Sequence, residues 1–365
     1  MNTISTIISS VSPLTLVMLV FSVLGGLDRI CGNKFGLGKE FEKGFMLLGA
    51  MALSMLGMIV LAPYIAEWLH PAFGFISDKL HLDPSVLPAI LLANDMGGAP
   101  LATEVAVNAK MGAFNALVVS SMMGATISFT IPYALNVVKK EQHREVLLGI
   151  LCGMVTIPVG SFVSGIMLKL PTGALLLNLL PLVIFSAVVS VGLILKPELC
   201  VKIFGFLGLI IKALITVGLV ISIIWFITGT NKQAYSEAAL VCANASAVMS
   251  GAFPLIYVVS KILAKPLRAF GKLCGMNEAS AMGIISTLAT NATTFENMKD
   301  MDKKGTLVNS AFAVSAAFTF AGHLAYTMAF PGGNEYVPYV IAGKLIAGAF
   351  ALVLALALSK KLVKE

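Results

Sequence analysis

The sequence predicts an all-α polytopic membrane protein: about nine transmembrane helices plus two re-entrant broken-helix hairpins, arranged as two inverted repeats. Three observations carry that prediction. The chain has 365 residues, of which 58% are apolar and only 12% charged, with a mean hydropathy of +0.93, against roughly 25% charge in an average soluble domain. Apolar runs of about twenty residues, each able to cross about 30 Å of hydrocarbon as a helix, recur from end to end. Several residue identities also repeat at one long, nearly constant offset. A soluble, nucleic-acid-binding or disordered chain is excluded, and the lipid bilayer is the expected surrounding. The formal charge of +7 would suggest a polyanionic partner in a soluble chain, but these basic residues sit in short loops, where they set membrane orientation.

The expected spans run over 7–27, 44–66, 112–137, 146–168, 173–195, 204–227, 236–260, 306–329 and 338–358. The first 27 residues hold no Lys or Arg, so the basic start of a cleaved signal peptide is missing and the opening run is expected to stay as the first span. Two apolar segments are interrupted. Residues 87–107 are broken by Asn94-Asp95-Met96-Gly97-Gly98-Ala99-Pro100, and residues 281–297 by Thr290-Asn291-Ala292-Thr293-Thr294. Each reads as two short half-helices around a polar tip.

The basic residues decide whether those segments cross. Six clusters, at 29–43, 139–144, 196–202, 261–272, 299–304 and 360–364, hold nineteen of the 25 Lys and Arg. The other loops carry only Lys79, Lys110, Lys169 and Lys232. If both broken segments re-enter, every rich cluster falls in the cytoplasm and every poor loop outside; if both cross, 139–144 and 196–202 are forced outside. The expected topology is therefore multi-pass in the cell inner membrane, with the N-terminus outside and the C-terminus cytoplasmic.

Gly57 and Gly251, Asn115 and Asn309, Ser121 and Ser315, and Gly149 and Gly343 are each 194 residues apart, and Asp95 and Asn291 are 196 apart. The offset superimposes both broken segments and their flanking spans. Residues 1–170 form one expected unit, 171–199 a linking span and 200–365 a second unit, inverted because five crossings separate the two starts. Inverted repeats whose discontinuous helices meet near the midplane are the plan of many secondary transporters.

Bare backbone within a membrane must be buried in protein or line a cavity, so the two tips are the candidate site. Asp95 is the one carboxylate at a tip, and an intramembrane charge is costly unless it has a partner; its other role would be to cap the second half-helix. Asn94 shares that tip, Gly97 and Gly98 permit a tight turn and close backbone approach, and Pro100 starts the next half-helix. Glu104, two and a half turns on, either guides a cation or is simply solvated. Thr290 and Asn291 offer neutral donors and acceptors or serve as caps. His323, deep in the 306–329 run, titrates near neutral pH when unperturbed and could relay a proton, though a lone His in a bundle is more often structural. Lys212 and Lys344 reach the nearer interface by snorkelling and stay outside the expected set. That set is Asp95, Asn94, Gly97, Gly98, Glu104, Thr290, Asn291 and His323.

Enzyme signatures are missing. Four His, at 70, 81, 143 and 323, occur without H-E-x-x-H, G-x-S-x-G or a Walker loop. The five Cys, at 31, 152, 200, 242 and 274, have no C-x-x-C spacing, so neither a disulfide framework nor a zinc site is expected. No cofactor is expected, and coupling to H+ or Na+ is left open.

At Leu92-Ala93-Asn94-Asp95-Met96-Gly97-Gly98, Ser286-Thr287-Leu288-Ala289-Thr290-Asn291 and Ser315-Ala316-Ala317-Phe318 the chain resembles the ethanolamine permease family, EutH. The likeness extends to Val155-Thr156-Ile157-Pro158, Ala213-Leu214-Ile215-Thr216 and Gly343-Lys344-Leu345-Ile346 and covers essentially the whole chain. The family commonly has Asp before the His that matches His323, where this chain has Gly322, which weakens an Asp–His relay. It commonly has Asn-Asn where this chain has Thr290-Asn291. The resemblance implies import of ethanolamine by a secondary carrier or facilitator, supplying ethanolamine catabolism. The residues agree with a small hydroxylated ammonium, since a carboxylate and neutral oxygens suffice to bind one, and no Arg lies in a hairpin or span as a dicarboxylate would require. A passive channel for small amines, or a carrier of another small cationic or zwitterionic solute, fits the same residues; a homo-oligomer is compatible with them and a nucleic-acid partner is not.

Overall fold

The computed structural model describes residues 12–362, and every regular element among them is helical. Residues 7–11 of the first expected span and Lys364 of the last basic cluster lie outside the described residues. In chain order the elements begin with α1 (Pro13–Ile30) and the long α2 (Leu37–Leu80), then two short helices, α3 (Val86–Leu91) and α4 (Gly98–Val105). Four long helical stretches come next, α5 (Ala109–Val137), α6 (Lys140–Met167), α7 (Thr172–Leu195) and α8 (Pro197–Thr228), and then the very long α9 (Lys232–Leu273). The chain ends with α10 (Glu278–Ala289), α11 (Asn291–Glu296), α12 (Lys303–Ser315), α13 (Gly322–Ala329) and α14 (Gly333–Lys361). Eight of these stretches, α1, α2, α5 to α9 and α14, are long and apolar enough to cross a membrane.

Outward-facing Leu176, Leu180 and Ile184 on α7, and Phe206, Leu209 and Ile224 on α8, stay exposed in the isolated chain. A helix apolar on all sides with half its surface uncovered needs lipid to cover it. α5 is the opposite case: its most apolar window is 94% buried. It is the central post of the protein.

The ninth expected span, 306–329, is not one helix. It stops at Ser315, unwinds through 316–321 with Phe318 at φ +60°, and restarts at Gly322. The amide N–H groups of Phe318 and Phe320 donate to the carbonyls of Thr287 and Leu288, at the end of α10. The unwound strand thereby satisfies carbonyls that a helix C-terminus leaves without partners. No Pro or Gly marks the break in Ala316-Ala317-Phe318-Thr319-Phe320, so its hydropathy reads as a continuous run. α2 and α9, at 44 and 42 residues, also outrun the expected 44–66 and 236–260. Both continue through prolines, Pro63 and Pro71 in one and Pro254 and Pro266 in the other, because the two helices pack along each other and hold the geometry that each missing N–H would loosen.

Both interrupted segments turn back on themselves. At the base of the first, Asp83 accepts hydrogen bonds from the backbone N–H of Asn108 at 2.9 Å and from Ser85 Oγ at 2.5 Å. At the base of the second, Asp302 accepts from the backbone N–H of Asn277 at 3.3 Å and from Ser280 Oγ at 2.5 Å. Asn115 Nδ2 reaches Ser85 Oγ, and Asn309 Nδ2 reaches the Ser280 carbonyl, each at 2.8 Å. The two ends of each segment are therefore pinned side by side, 25 residues apart in the chain but adjacent in space.

Helix-to-helix contact is closest at glycines. Gly57 of α2 lies against the backbone of Ile215 and Leu219 in α8, where Gly218 answers it, and Gly251 of α9 lies against the Met18 carbonyl in α1. Small residues let two backbones approach in a medium that offers little hydrophobic driving force between helices.

Candidate functional site

The tip of the first hairpin is built on α5. Leu92 is extended, 94–96 form a single tight 3₁₀ turn, and Gly97 adopts φ +101°, a left-handed conformation that a side chain disfavours. Ser128 Oγ accepts from the Ala93 N–H at 3.1 Å, and Ser120 Oγ donates to the Leu92 carbonyl at 2.5 Å. Gly98 sits directly against Ser120 and the Leu92 carbonyl, leaving no room for a Cβ. Gly97→Ala is expected to destabilise the protein by about 1–2 kcal/mol through the left-handed backbone alone, seen as a lower melting temperature in detergent; Gly74→Ala, in open space on α2, is the control that should not lower it.

The second tip also rests on α5. Thr290 is extended and its Oγ1 accepts from the Ala292 N–H at 3.2 Å, so Thr290 caps α11. That frees Asn291, fully buried, to donate from Nδ2 to Thr130 Oγ1 of α5 at 3.0 Å. Thr294 closes the tip onto Thr287 at 2.9 Å.

Between the tips lies a polar cluster that the sequence did not assemble. Lys344 of α14 has no exposed surface, donates from Nζ to the Ser121 carbonyl at 2.6 Å, and stands 3.1 Å from His323 Nδ1. That carbonyl belongs to residues 115–124, which wind in the wide π form, a distortion frequent at functional sites. His323, 3% exposed, packs its ring 4.8 Å from Phe318, whose backbone N–H is bonded to the second hairpin. Tyr326 lies one turn further along α13 and is buried. The tip residues 94–96 pack against α13, and Asp95, half-buried, lies within electrostatic reach of both Lys344 and Tyr326. A chain of contacts thus runs from hairpin two through Phe318 and His323 to Lys344, whose charge acts on Asp95 on hairpin one.

Several buried polar atoms here make no hydrogen bond within the protein: both side-chain atoms of Asn94, Asn291 Oδ1, Tyr326 Oη and Ser315 Oγ. Buried polar groups are ordinarily paired, at a cost of about 1–3 kcal/mol when they are not, so atoms left over at two hairpin tips mark a place for a polar guest. Of the expected set, Asn94, Asp95, Gly97 and Gly98 sit together at one tip, Thr290 and Asn291 at the other, and His323 between. Glu104 is exposed at the far end of α4, away from the cluster.

Lys344, Tyr326, Ser121 and the α5 hydroxyls were missed. The reading of Lys344 as a snorkelling residue is corrected: it is wholly enclosed, whereas Lys212 is exposed. Its place about 10 Å past Val337, where the regular α-helix of α14 begins, is within snorkelling reach, and periodicity cannot tell an inward face from an outward one on a helix apolar all round. The Gly343-Lys344 pair was the available signal, since a helix carries Gly where another backbone comes close, here that of Gly160.

The family described as ethanolamine utilisation protein EutH matches residues 12–358. The chain belongs to the EutH family. A probable ethanolamine permease EutH from Listeria monocytogenes is 39% identical over 352 residues, covering 95% of this chain and 94% of its own. The probable ethanolamine permease EutH of Escherichia coli is 35% identical, covering 94% and 91%. YxeR of Bacillus subtilis, an uncharacterized protein, is 32% identical, covering 92% and 91%. No solved structure matches the chain. The EutH match spans both hairpins, α5 and the Lys344 region together.

Proposed function

We propose that the protein is an ethanolamine permease of the bacterial inner membrane, a carrier that binds the substrate between the two hairpin tips. Ethanolamine transport in general is supported by the family and by the names of the relatives. The observation that carries the site is the set of buried, unpaired polar atoms beside a half-buried carboxylate. Ethanolamine at neutral pH is a small ammonium with a hydroxyl two carbons away, so Asp95 would take the charged end and neutral groups such as Asn94, Tyr326 and Asn291 the hydroxyl. A carrier is favoured over an open channel because Asn94, Asn291 and Lys344 have no exposed surface. Counterflow of labelled ethanolamine in proteoliposomes tests this: a carrier accelerates uptake when unlabelled substrate is inside, and an unaccelerated rate would sink the carrier reading.

The proposed frame is two inverted units, 1–170 and 200–365, joined by a span at 171–199. Support comes from the pins at the hairpin bases. Asp83 with Asn108 and Asn277 with Asp302 are related by the same 194-residue offset, with acid and amide exchanged. Gly57 of the first unit meets the opening helix of the second, while Gly251 of the second meets the opening helix of the first. A cavity of about 210 Å³ runs from Glu40 and Lys43, in a basic cluster assigned to the cytoplasm, to Thr290 and Thr293, and would serve as the inner access path. In a background without the five native Cys, single Cys at Lys79 and Lys110 are both expected to react with an impermeant thiol reagent from outside, and Cys at Lys265 and Lys303 not to. Opposite behaviour at Lys79 and Lys110 would mean that the first hairpin crosses.

A further inference from the structure

We propose that Lys344 is a proton-exchanging residue of the binding site: when an ammonium docks on Asp95, the Lys344 ammonium releases one proton, and the free amine left behind accepts the substrate's hydroxyl hydrogen bond. This deepens the transport reading given above and rests on it. Lys344 is held from one side by the Ser121 carbonyl and from another by His323 Nδ1. Its charge reaches Asp95, yet no carboxylate lies within 4 Å of it among the described residues. Acid and base therefore face each other across a gap wider than a direct ion pair. The backbone hydrogen bond at the Asp95 carboxylate comes from its own residue and does not close that gap. A small molecule carrying an ammonium at one end and a hydroxyl at the other has the polarity to bridge it.

Net charge drives the proton release. With no substrate the carboxylate and the ammonium sum to zero; a second ammonium would leave the enclosed site at plus one. Two like charges about 4 Å apart in a protein environment repel by enough to weaken binding on the order of a thousandfold. A buried Lys, unlike Arg, can shed its proton to remove that repulsion. The Nζ–H bond breaks, its electron pair stays on nitrogen, and the proton passes to bulk water, with His323 Nδ1 the basic atom at hand. Atoms and charge balance: one ammonium enters and one proton leaves.

The titratable groups facing Lys344 are few. Asp95 approaches from the hairpin tip and His323 from α13, with Tyr326 on the same helix and Cys242 of α9 behind it. α6 meets this part of α14 at Gly160 and Ser164, so its His143, Arg144 and Glu145 lie about 25 Å away along the helix. α12 meets α14 further on, at Phe312 and Ala316 beside Gly348, which puts Lys303 and Lys304 about 12 Å or more along α12 from that contact. α5 contributes the Ser121 carbonyl and no charge at this level.

The test is a proton count on the full-length protein in detergent at about pH 6, where free ethanolamine carries its proton. Ethanolamine is titrated by calorimetry in buffers of different ionisation enthalpy. The expected result is close to one proton released per ethanolamine bound. Lys344→Met should bind without proton release and lose its preference for ethanolamine over ethylamine. Lys344→Arg, which keeps its charge, should bind on the order of a thousandfold more weakly; it covers the case in which the Met variant does not fold. Binding by the parent without proton release overturns this inference alone, and so does undiminished release in Lys344→Met, which would mean that the substrate sheds the proton instead. If the parent shows no saturable binding of ethanolamine, the transport reading fails and this inference with it.

Discussion

Asp95→Asn is expected to abolish saturable uptake of ethanolamine at low concentration while leaving the protein inserted and folded. The substitution keeps size and hydrogen-bonding capacity and deletes only the charge. Removing one member of a buried charge pair costs about 3–5 kcal/mol, hundreds-fold or more in affinity, whereas a lost helix cap costs about 1 kcal/mol. The competing role of Asp95 as a cap is weakened by its place, two residues before Gly97, which holds the N-cap position of α4. Initial rates of labelled uptake, at matched expression, separate the two. An affinity within a few-fold of the parent would mean that the ammonium is met elsewhere, and exposed Glu104 would be the next residue to change.

Gly57→Leu is expected to be the most damaging of the packing substitutions. Any Cβ at this position would run into the Ile215 carbonyl and the Leu219 amide of α8, which are backbone atoms and cannot swing aside. Overpacking of a tight interface costs about 1–3 kcal/mol, and more where nothing can yield. The loss should appear as a lower melting temperature and a smaller monodisperse fraction on size exclusion. Gly251→Leu, against the Met18 carbonyl, should do the same from the other unit. Gly49→Leu, with open space around it, is the control. If Gly57→Leu melts with the parent, α8 can move off α2 without cost and this contact does not hold the two units together.

The hairpins were legible because their chemistry is local. Asn94-Asp95 with Gly97-Gly98 after it, and Thr290-Asn291 with its threonines, interrupt hydrophobic runs with residues that form turns and caps, and the first site does turn while the second does cap. Gly97 was legible for the same reason, as its left-handed backbone is a property of one residue. The break at 316–321 was not, because its cause lies elsewhere in the chain: the carbonyls of Thr287 and Leu288 draw the Phe318 and Phe320 amides out of the helix. Nor was the role of Asn291, whose partner Thr130 is 161 residues away.

By itself the sequence determined that this chain belongs in a bilayer and where two of its apolar segments are interrupted, since hydropathy and turn chemistry act over a few neighbouring residues. It also placed an acid at one interruption, where an intramembrane charge already implies a partner. Only the tertiary structure decided what that acid faces. Lys344 on α14, His323 on α13, the Ser121 carbonyl on α5 and Asp95 on the first tip come from four separate segments of the chain. Their meeting depends on which face of each apolar helix turns inward, and packing at positions such as Gly57, Gly160 and Gly251 sets that face. A helix that is apolar all round gives no sign of its rotation until a neighbour is pressed against it.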